Sequence, residues 1–188
     1  MSSLKRNNVI VGIDYSMTSP AICVLNKGGH LTFTYWTTKK KNECKIELDG
    51  CSIEGILFSY KDKVDEERFH YLAEEIFEKS MIKWPDQIAL EDYSYASTGR
   101  AFQIGENGGV LKNRFYKNGF DLTKIAPTQI KKFATGKGNA DKEMMQEAFV
   151  DATGIDVKKI LGQTEKQWNP SSDIIDAYFI AMYAMCET

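Results

Sequence analysis

The chain has 188 residues, 43% hydrophobic and 27% charged, the profile of one ordinary globular domain spanning residues 1–188 rather than of a disordered or fibrous protein. No stretch reaches the ~20 consecutive apolar residues of a membrane span, and residues 1–6 lead into a strand-like segment without the apolar centre of a signal peptide, so a cytoplasmic location is expected. The formal charge of −2 hides an asymmetry: residues 43–91 carry 13 acids against 6 bases, whereas residues 112–142 carry 8 bases against 2 acids. Because phosphate affinity is set by local lysines and arginines, the second segment keeps nucleic acid in view despite the acidic total.

Asn8 to Asp14 is an apolar, mostly β-branched run ending in an acid, which predicts a buried strand. Ala21 to Leu25 and Leu31 to Trp36 follow across the turn-like Asn26-Lys27-Gly28-Gly29, predicting a three-strand meander. Thr38 to Gly55 is polar and uneven and reads as an insertion or flexible excursion, with a short strand around Ile56 to Tyr60. From Asp62 to Ile82 the apolar positions Val64, Phe69, Leu72, Ala73, Ile76 and Phe77 recur at helical spacing. Gln87 to Glu91 is a second apolar run ending in an acid, and Arg100 to Tyr116 reads as a helix whose Gly105, Gly108 and Gly109 would let it pack close to a sheet. Leu122 to Ala126 predicts a fifth strand; Thr128 to Phe133, Ala140 to Thr153 and Ser172 to Met185 predict helices. This order suits an α/β fold: a mixed five-stranded sheet, three strands antiparallel and two parallel, flanked by helices.

The four cysteines, Cys23, Cys44, Cys51 and Cys186, include no C-x-x-C pair, and only His30 and His70 accompany them. Reduced thiols are therefore expected, without a zinc site. No Ser-His-Asp or Cys-His nucleophile arrangement is visible either.

Four carboxylates stand out. Asp14 and Glu91 each end a strand-like run, where a side chain can reach into the crevice beyond a sheet. Asp173 and Asp176 are spaced i, i+3, on one face of a helix whose remainder, Ala177 to Met185, is wholly apolar or aromatic. Taken alone, the last two also fit a helix start, with Ser171 or Ser172 as N-cap, and Asp14 also fits a turn. As a set they suit hard divalent cations: Mg²⁺ prefers oxygen ligands, and two such ions can activate a water and stabilise the leaving oxygen in phosphodiester hydrolysis.

These residues resemble the RuvC-type Holliday-junction resolvases of the RNase H-like superfamily, in particular the divergent forms of bacteriophages. Val11-Gly12-Ile13-Asp14 is similar to the family's first strand with its catalytic aspartate, and Ile88-Ala89-Leu90-Glu91 to the strand with its catalytic glutamate. Ala126-Pro127-Thr128-Gln129-Ile130-Lys131 followed by Gly136-Lys137-Gly138-Asn139-Ala140-Asp141-Lys142 resembles P-x-x-V-K…G-x-G-x-A-x-K, and Asp173-Ile174-Ile175-Asp176-Ala177 resembles the closing D-x-x-D-A. The resemblance implies an RNase H-like fold, a homodimer, two Mg²⁺ per site with Mn²⁺ able to substitute, and cleavage of branched DNA to 5′-phosphate and 3′-hydroxyl ends. Neither a nucleotide cofactor nor a membrane partner is implied.

The family's DNA-contacting lysines carry over to Lys131 and Lys142, both inside the basic segment. Lys137, Lys112 and Arg114 of the same segment are further candidates for DNA contact, although Lys137 and Lys142 also fit a solvated loop and helix surface. Two departures matter. Asp14 is followed by Tyr15-Ser16-Met17-Thr18-Ser19-Pro20 instead of the family's Pro-Gly, and the place of a junction-wedging phenylalanine is Ser94, flanked by Tyr93 and Tyr95. Either tyrosine can stack on an unpaired base, and Tyr93 fits core packing equally well. Other readings within reach of the sequence are a less selective flap- or fork-cleaving nuclease and a junction-binding module without catalysis. An actin-like ATPase shares the opening strand pattern but needs two copies of such a domain, for which 188 residues leave no room.

Overall fold

Period-two alternation along the first strand decides where the chain's acids point. In the computed structural model, which describes residues 9–26, 28–59, 63–92 and 101–187, β1 (Ile10–Asp14) sends Val11 and Ile13 to one face and Ile10 to the other. Gly12 and Asp14 therefore share the face of Ile10. On β6 (Gln87–Glu91), Ile88 and Leu90 join the core of the first face and Ala89 that of the second, so Glu91 points the same way as Asp14.

β2 (Ala21–Leu25) and β3 (Leu31–Thr37) form the antiparallel meander with β1, and β6 and β7 (Leu122–Ile125) add to its other side in parallel. Helices α1 (Asp65–Met81) and α2 (Ala101–Lys117) cover one face through Leu72, Ile76, Leu111 and Phe115. The other face carries α6 (Ser171–Cys186) with α3 (Pro127–Thr135), α4 (Lys142–Thr153) and the short α5 (Val157–Ile160). A mixed sheet with helices on both faces is the expected fold class.

The sheet has seven strands, not five, in the order β4-β5-β3-β2-β1-β6-β7. The segment expected to be a polar excursion folds as a hairpin of β4 (Cys44–Leu48) and β5 (Cys51–Leu57), and β5 lies parallel to β3. Its sequence alternates after all: Cys51, Ile53 and Gly55 are buried, with Ser52, Glu54 and Ile56 half-exposed between them. Polar residues on the outward positions and on the edge strand β4 hid that period. The strand expected around residues 56–60 thus begins at Cys51 and ends at Leu57.

Two smaller expectations also change. A Cβ built at Gly105 or Gly109 would meet nothing within 4 Å among the described residues, so close packing on the sheet does not account for those glycines; Gly108 is buried. Neither serine caps α6: Pro170 stands at the N-cap position, and the Ser171 hydroxyl donates to Trp168 O at 2.7 Å. No helix among the described residues is long and apolar enough to cross a membrane. All four cysteines are free.

What seats α6 is Gly12. A Cβ there would collide with the backbone oxygen of Ala177 and the backbone nitrogen of Ala181, and would lie 2.9 Å from Ala181 Cβ. Backbone of both elements fills this contact, so neither can yield by a side-chain rotation. Gly12→Ala is predicted to lower unfolding stability by about 3 kcal/mol, the upper part of the usual range for overpacking, read from denaturant midpoints at unchanged slope. A loss under about 1 kcal/mol would show that α6 can shift away from β1.

Candidate active site

Parallel pairing of β1 with β6, in the register Ile13 to Leu90, makes Asp14 and Glu91 the next residues on neighbouring strands. They leave the sheet together at its C-terminal edge, on the face that α6 covers. The first turns of α6 lie against that edge because Ala177 and Ala181 sit on Gly12, and they bring Asp173 and Asp176 to the same place. Asp173 is buried, and Asp14, Glu91 and Asp176 are half-buried.

Electrostatics ties the four into one site. Burial raises the Asp14 carboxyl well above its ordinary range, and the charges of Asp173, Asp176 and Glu91 raise it further. Burial and Asp176 push Glu91 to about 7. Asp173 also reaches about 7, chiefly through burial with a contribution from Asp176, and burial lifts Asp176 to about 6. Two lysines oppose these shifts. Lys131 acts on Glu91 and Asp176, and Lys142 on Asp14, Asp173 and Asp176.

The segment from Pro127 to Lys142 accounts for the position of both lysines. Pro127 begins α3 at a position that needs no backbone donor, and Gly136, at φ 77°, ends it with its N–H on Lys132 O at 2.8 Å. Asp141 then caps α4, accepting from Met144 N at 2.9 Å, while Ala140 is buried. Lys131 rides on the first helix and Lys142 opens the second, its Nζ 3.5 Å from Ser172 Oγ on α6.

The other expected contacts divide. Lys112 lines a cavity of about 160 Å³ with Asp14, Tyr15, Glu91 and Asp92, so α2 delivers a cation to the site's other flank. Lys137 is exposed on the turn between α3 and α4. Arg114 is not brought to the site: it faces α1, paired with Glu74 at 2.7 Å and lying 4.0 Å over the Phe77 ring. Two residues further along α2 than Lys112, it falls on a different face of the helix, which residue counting along the basic segment did not separate. Tyr93 and Tyr95 lie outside the described residues.

Two site residues escaped the sequence reading. Asn169 Nδ2 donates to both carboxylate oxygens of Asp173, at 2.9 and 2.8 Å, and lies 3.1 Å from Ser19 Oγ. Ser19 Oγ is in turn near Ser16 Oγ, which accepts from Ser19 N at 3.0 Å, so the loop that replaces Pro-Gly is a serine-closed turn that reaches α6. The Asn169 contact had a faint signal, one helical turn before Asp173. The Ser19 contact had none, since 150 residues separate its partners.

Among the described residues no three carboxylate, imidazole or thiol groups form a ready-made ligand cluster for one ion. The chemistry of the donor set still fits hard divalent cations. All four groups are carboxylates, none has an arginine or lysine ion pair at contact distance among the described residues, and burial destabilises the ionised form of each, with neighbouring acids adding to it at Asp14, Glu91 and Asp173.

Comparisons with known proteins point to one family. The family model described as Crossover junction endodeoxyribonuclease RuvC matches residues 49–183, a span that includes Glu91, Lys131, Lys142, Asp173 and Asp176 but not Asp14. The chain is similar to the crossover junction endodeoxyribonuclease RuvC of Campylobacter concisus, 37% identical over 98 residues covering 52% of this chain and 56% of that protein. With the RuvC of Caldicellulosiruptor saccharolyticus it is 31% identical over 99 residues, covering 52% and 54%. The chain spans about half the length of the curated relatives it matches. Its fold is similar to that of Thermus thermophilus RuvC solved in complex with Holliday junction substrate, with a TM-score of 0.57, 21% identity and 96% of both chains covered.

A carboxylate that holds its proton more tightly folded than unfolded stabilises the fold at low pH and loses that contribution as pH rises to its folded value. For Asp173 and Glu91 the window runs from their ordinary 3.8 and 4.5 up to about 7. In chelator, the melting temperature is therefore predicted to fall as pH rises through that window, with Asp176→Asn flattening the fall and Mg²⁺ reversing it at the upper end. A melting temperature indifferent to pH across the window would contradict the crowding of these acids.

Proposed function

The chain belongs to the RuvC family of crossover junction endodeoxyribonucleases, and on that premise we propose that it is a structure-selective DNA endonuclease that resolves four-way junctions. The observation that carries this reading is the convergence of Asp14, Glu91, Asp173 and Asp176 from three elements on one sheet edge, with Lys131 and Lys142 acting on them. A protein that only bound DNA would gain nothing from four half-buried or buried acids facing phosphate.

Two divalent cations, Mg²⁺ with Mn²⁺ able to replace it, held by these four carboxylates would supply an activated water and charge to stabilise the leaving 3′-oxygen. In the reaction a water oxygen bonds to phosphorus as the bond to the 3′-oxygen breaks, leaving 5′-phosphate and 3′-hydroxyl ends. The chain's own residues set the geometry. Asn169 fixes the plane of the Asp173 carboxylate through both oxygens. Lys131 and Lys142 offset the negative charge of the incoming phosphate as point charges. Lys112, on the opposite flank, offers a third cation to the strand entering the cavity beside Asp14 and Glu91. The reading includes a homodimer, whose two-fold axis would match that of a four-way junction and place two such sites on symmetric strands.

Asp14→Asn keeps the shape of the site and removes one anionic ligand. It is predicted to slow Mg²⁺-dependent cleavage of a synthetic junction by at least about 100-fold, the upper end for loss of a mere outer-shell partner, while junction binding persists in a mobility-shift assay. Cleavage within a few-fold of the unaltered protein would remove Asp14 from the reaction. Comparing junction, flap and linear duplex in the same assay separates a resolvase from a less selective nuclease.

A further inference from the structure

β3 and β1 are both antiparallel to β2 and so run in the same direction, which brings the end of β3 at Thr37 out on the sheet edge that carries Asp14. The chain beyond it turns tightly. Thr37 Oγ1 accepts from Lys39 N at 3.2 Å, and Asn42 N donates to Lys39 O at 2.9 Å, closing the 3-10 turn Lys40–Asn42. Opposite this turn stand the loop after β1 and the residue before α6's Pro170 N-cap. Between them lies a cavity of about 230 Å³ lined by Thr18, Ser19, Thr38, Lys39, Asn42 and Asn169.

The lining has one sign of chemistry. It offers hydroxyls, amides and one ammonium, and no carboxylate. Lys39 is exposed and forms no ion pair among the described residues, because the nearby Glu43 is taken by Lys40. The cavity also adjoins the reaction centre, since Asn169 on its wall holds Asp173. Lys131 and Lys142, carried on α3 and α4, approach the acids from other elements and leave this side without a cation of their own.

We propose that this cavity binds a phosphodiester group of the DNA, on the strand flanking the scissile bond, with Lys39 as its cation and the Thr18, Thr38 and Asn42 side chains as neutral donors. The proposal rests on reading the chain as a DNA endonuclease. It gives a role to the turn that leads from β3 into the β4–β5 hairpin, a segment that contributes nothing else to the site. One lysine balances one phosphate charge, and the backbone bonds that fix the turn hold it in place before DNA arrives.

The test uses the full chain, a labelled four-way junction and Ca²⁺ in place of Mg²⁺, with electrophoresis to check that strands stay intact. Lys39→Ala is predicted to weaken junction binding about fivefold, the upper scale of one exposed charge pair, and to reduce the slope of log affinity against log salt by about 0.9. Lys39→Arg should restore both, and the melting temperature of either variant should match that of the unaltered protein. Unaltered affinity and salt slope in Lys39→Ala, with the parent protein binding and cutting the junction, would overturn this inference alone. A parent protein that neither binds nor cuts would instead overturn the proposed function.

Discussion

The missing side chain at Gly12 is the constraint on which the remaining architecture depends. Strand alternation alone would point Asp14 and Glu91 out of the same face of the sheet, but two carboxylates at a sheet edge are an ordinary sight. They become a site because α6 lies with its backbone against β1, at a distance that a single methyl group would forbid. Ala177 and Ala181 keep the helix surface equally bare, and the apolar residues that follow bury it. Asp173 and Asp176, one turn before that contact, have nowhere to go except toward Asp14.

From that packing the electrostatics follows. Four acids are brought together in a partly desolvated place, and each is held less acidic than it would be in water, with burial the leading cause for all four. Such an arrangement works against folding stability at neutral pH, and proteins tolerate it mainly where charge of the opposite sign arrives with function. The lysines moderate the repulsion without removing it. They come from α3 and α4, whose start and stop signals, Pro127, Gly136 and Asp141, set their positions. The stretch that looks like a family motif is therefore, physically, the joint between two helices that carries Lys131 and Lys142.

Much of this was legible in the residue order. The runs ending at Asp14 and Glu91, the i, i+3 spacing of Asp173 and Asp176, and the break pattern around Gly136 are local signals, and local signals survive into the structure. The β4–β5 hairpin was harder to see, because its outward positions are polar and β5 pairs with β3 on the side away from β2. Arg114 shows a different limit. Charge counted along a segment ignores which side of a helix each residue occupies, and this one turns away to Glu74. Asn169 and Ser19 mark the third limit, since a hydrogen bond between residues 150 positions apart leaves no trace in either neighbourhood.

The proposed role of these four carboxylates is to form one metal-dependent centre for cutting branched DNA. Its most direct test is a four-way junction labelled on each strand in turn, incubated with the protein in Mg²⁺ and in chelator, with every product end mapped. Paired nicks at symmetric positions flanking the branch point, 5′-phosphate and 3′-hydroxyl ends, and no cutting in chelator are predicted. Cutting that persists in chelator, or an intact junction in Mg²⁺ and Mn²⁺ alike, would contradict it.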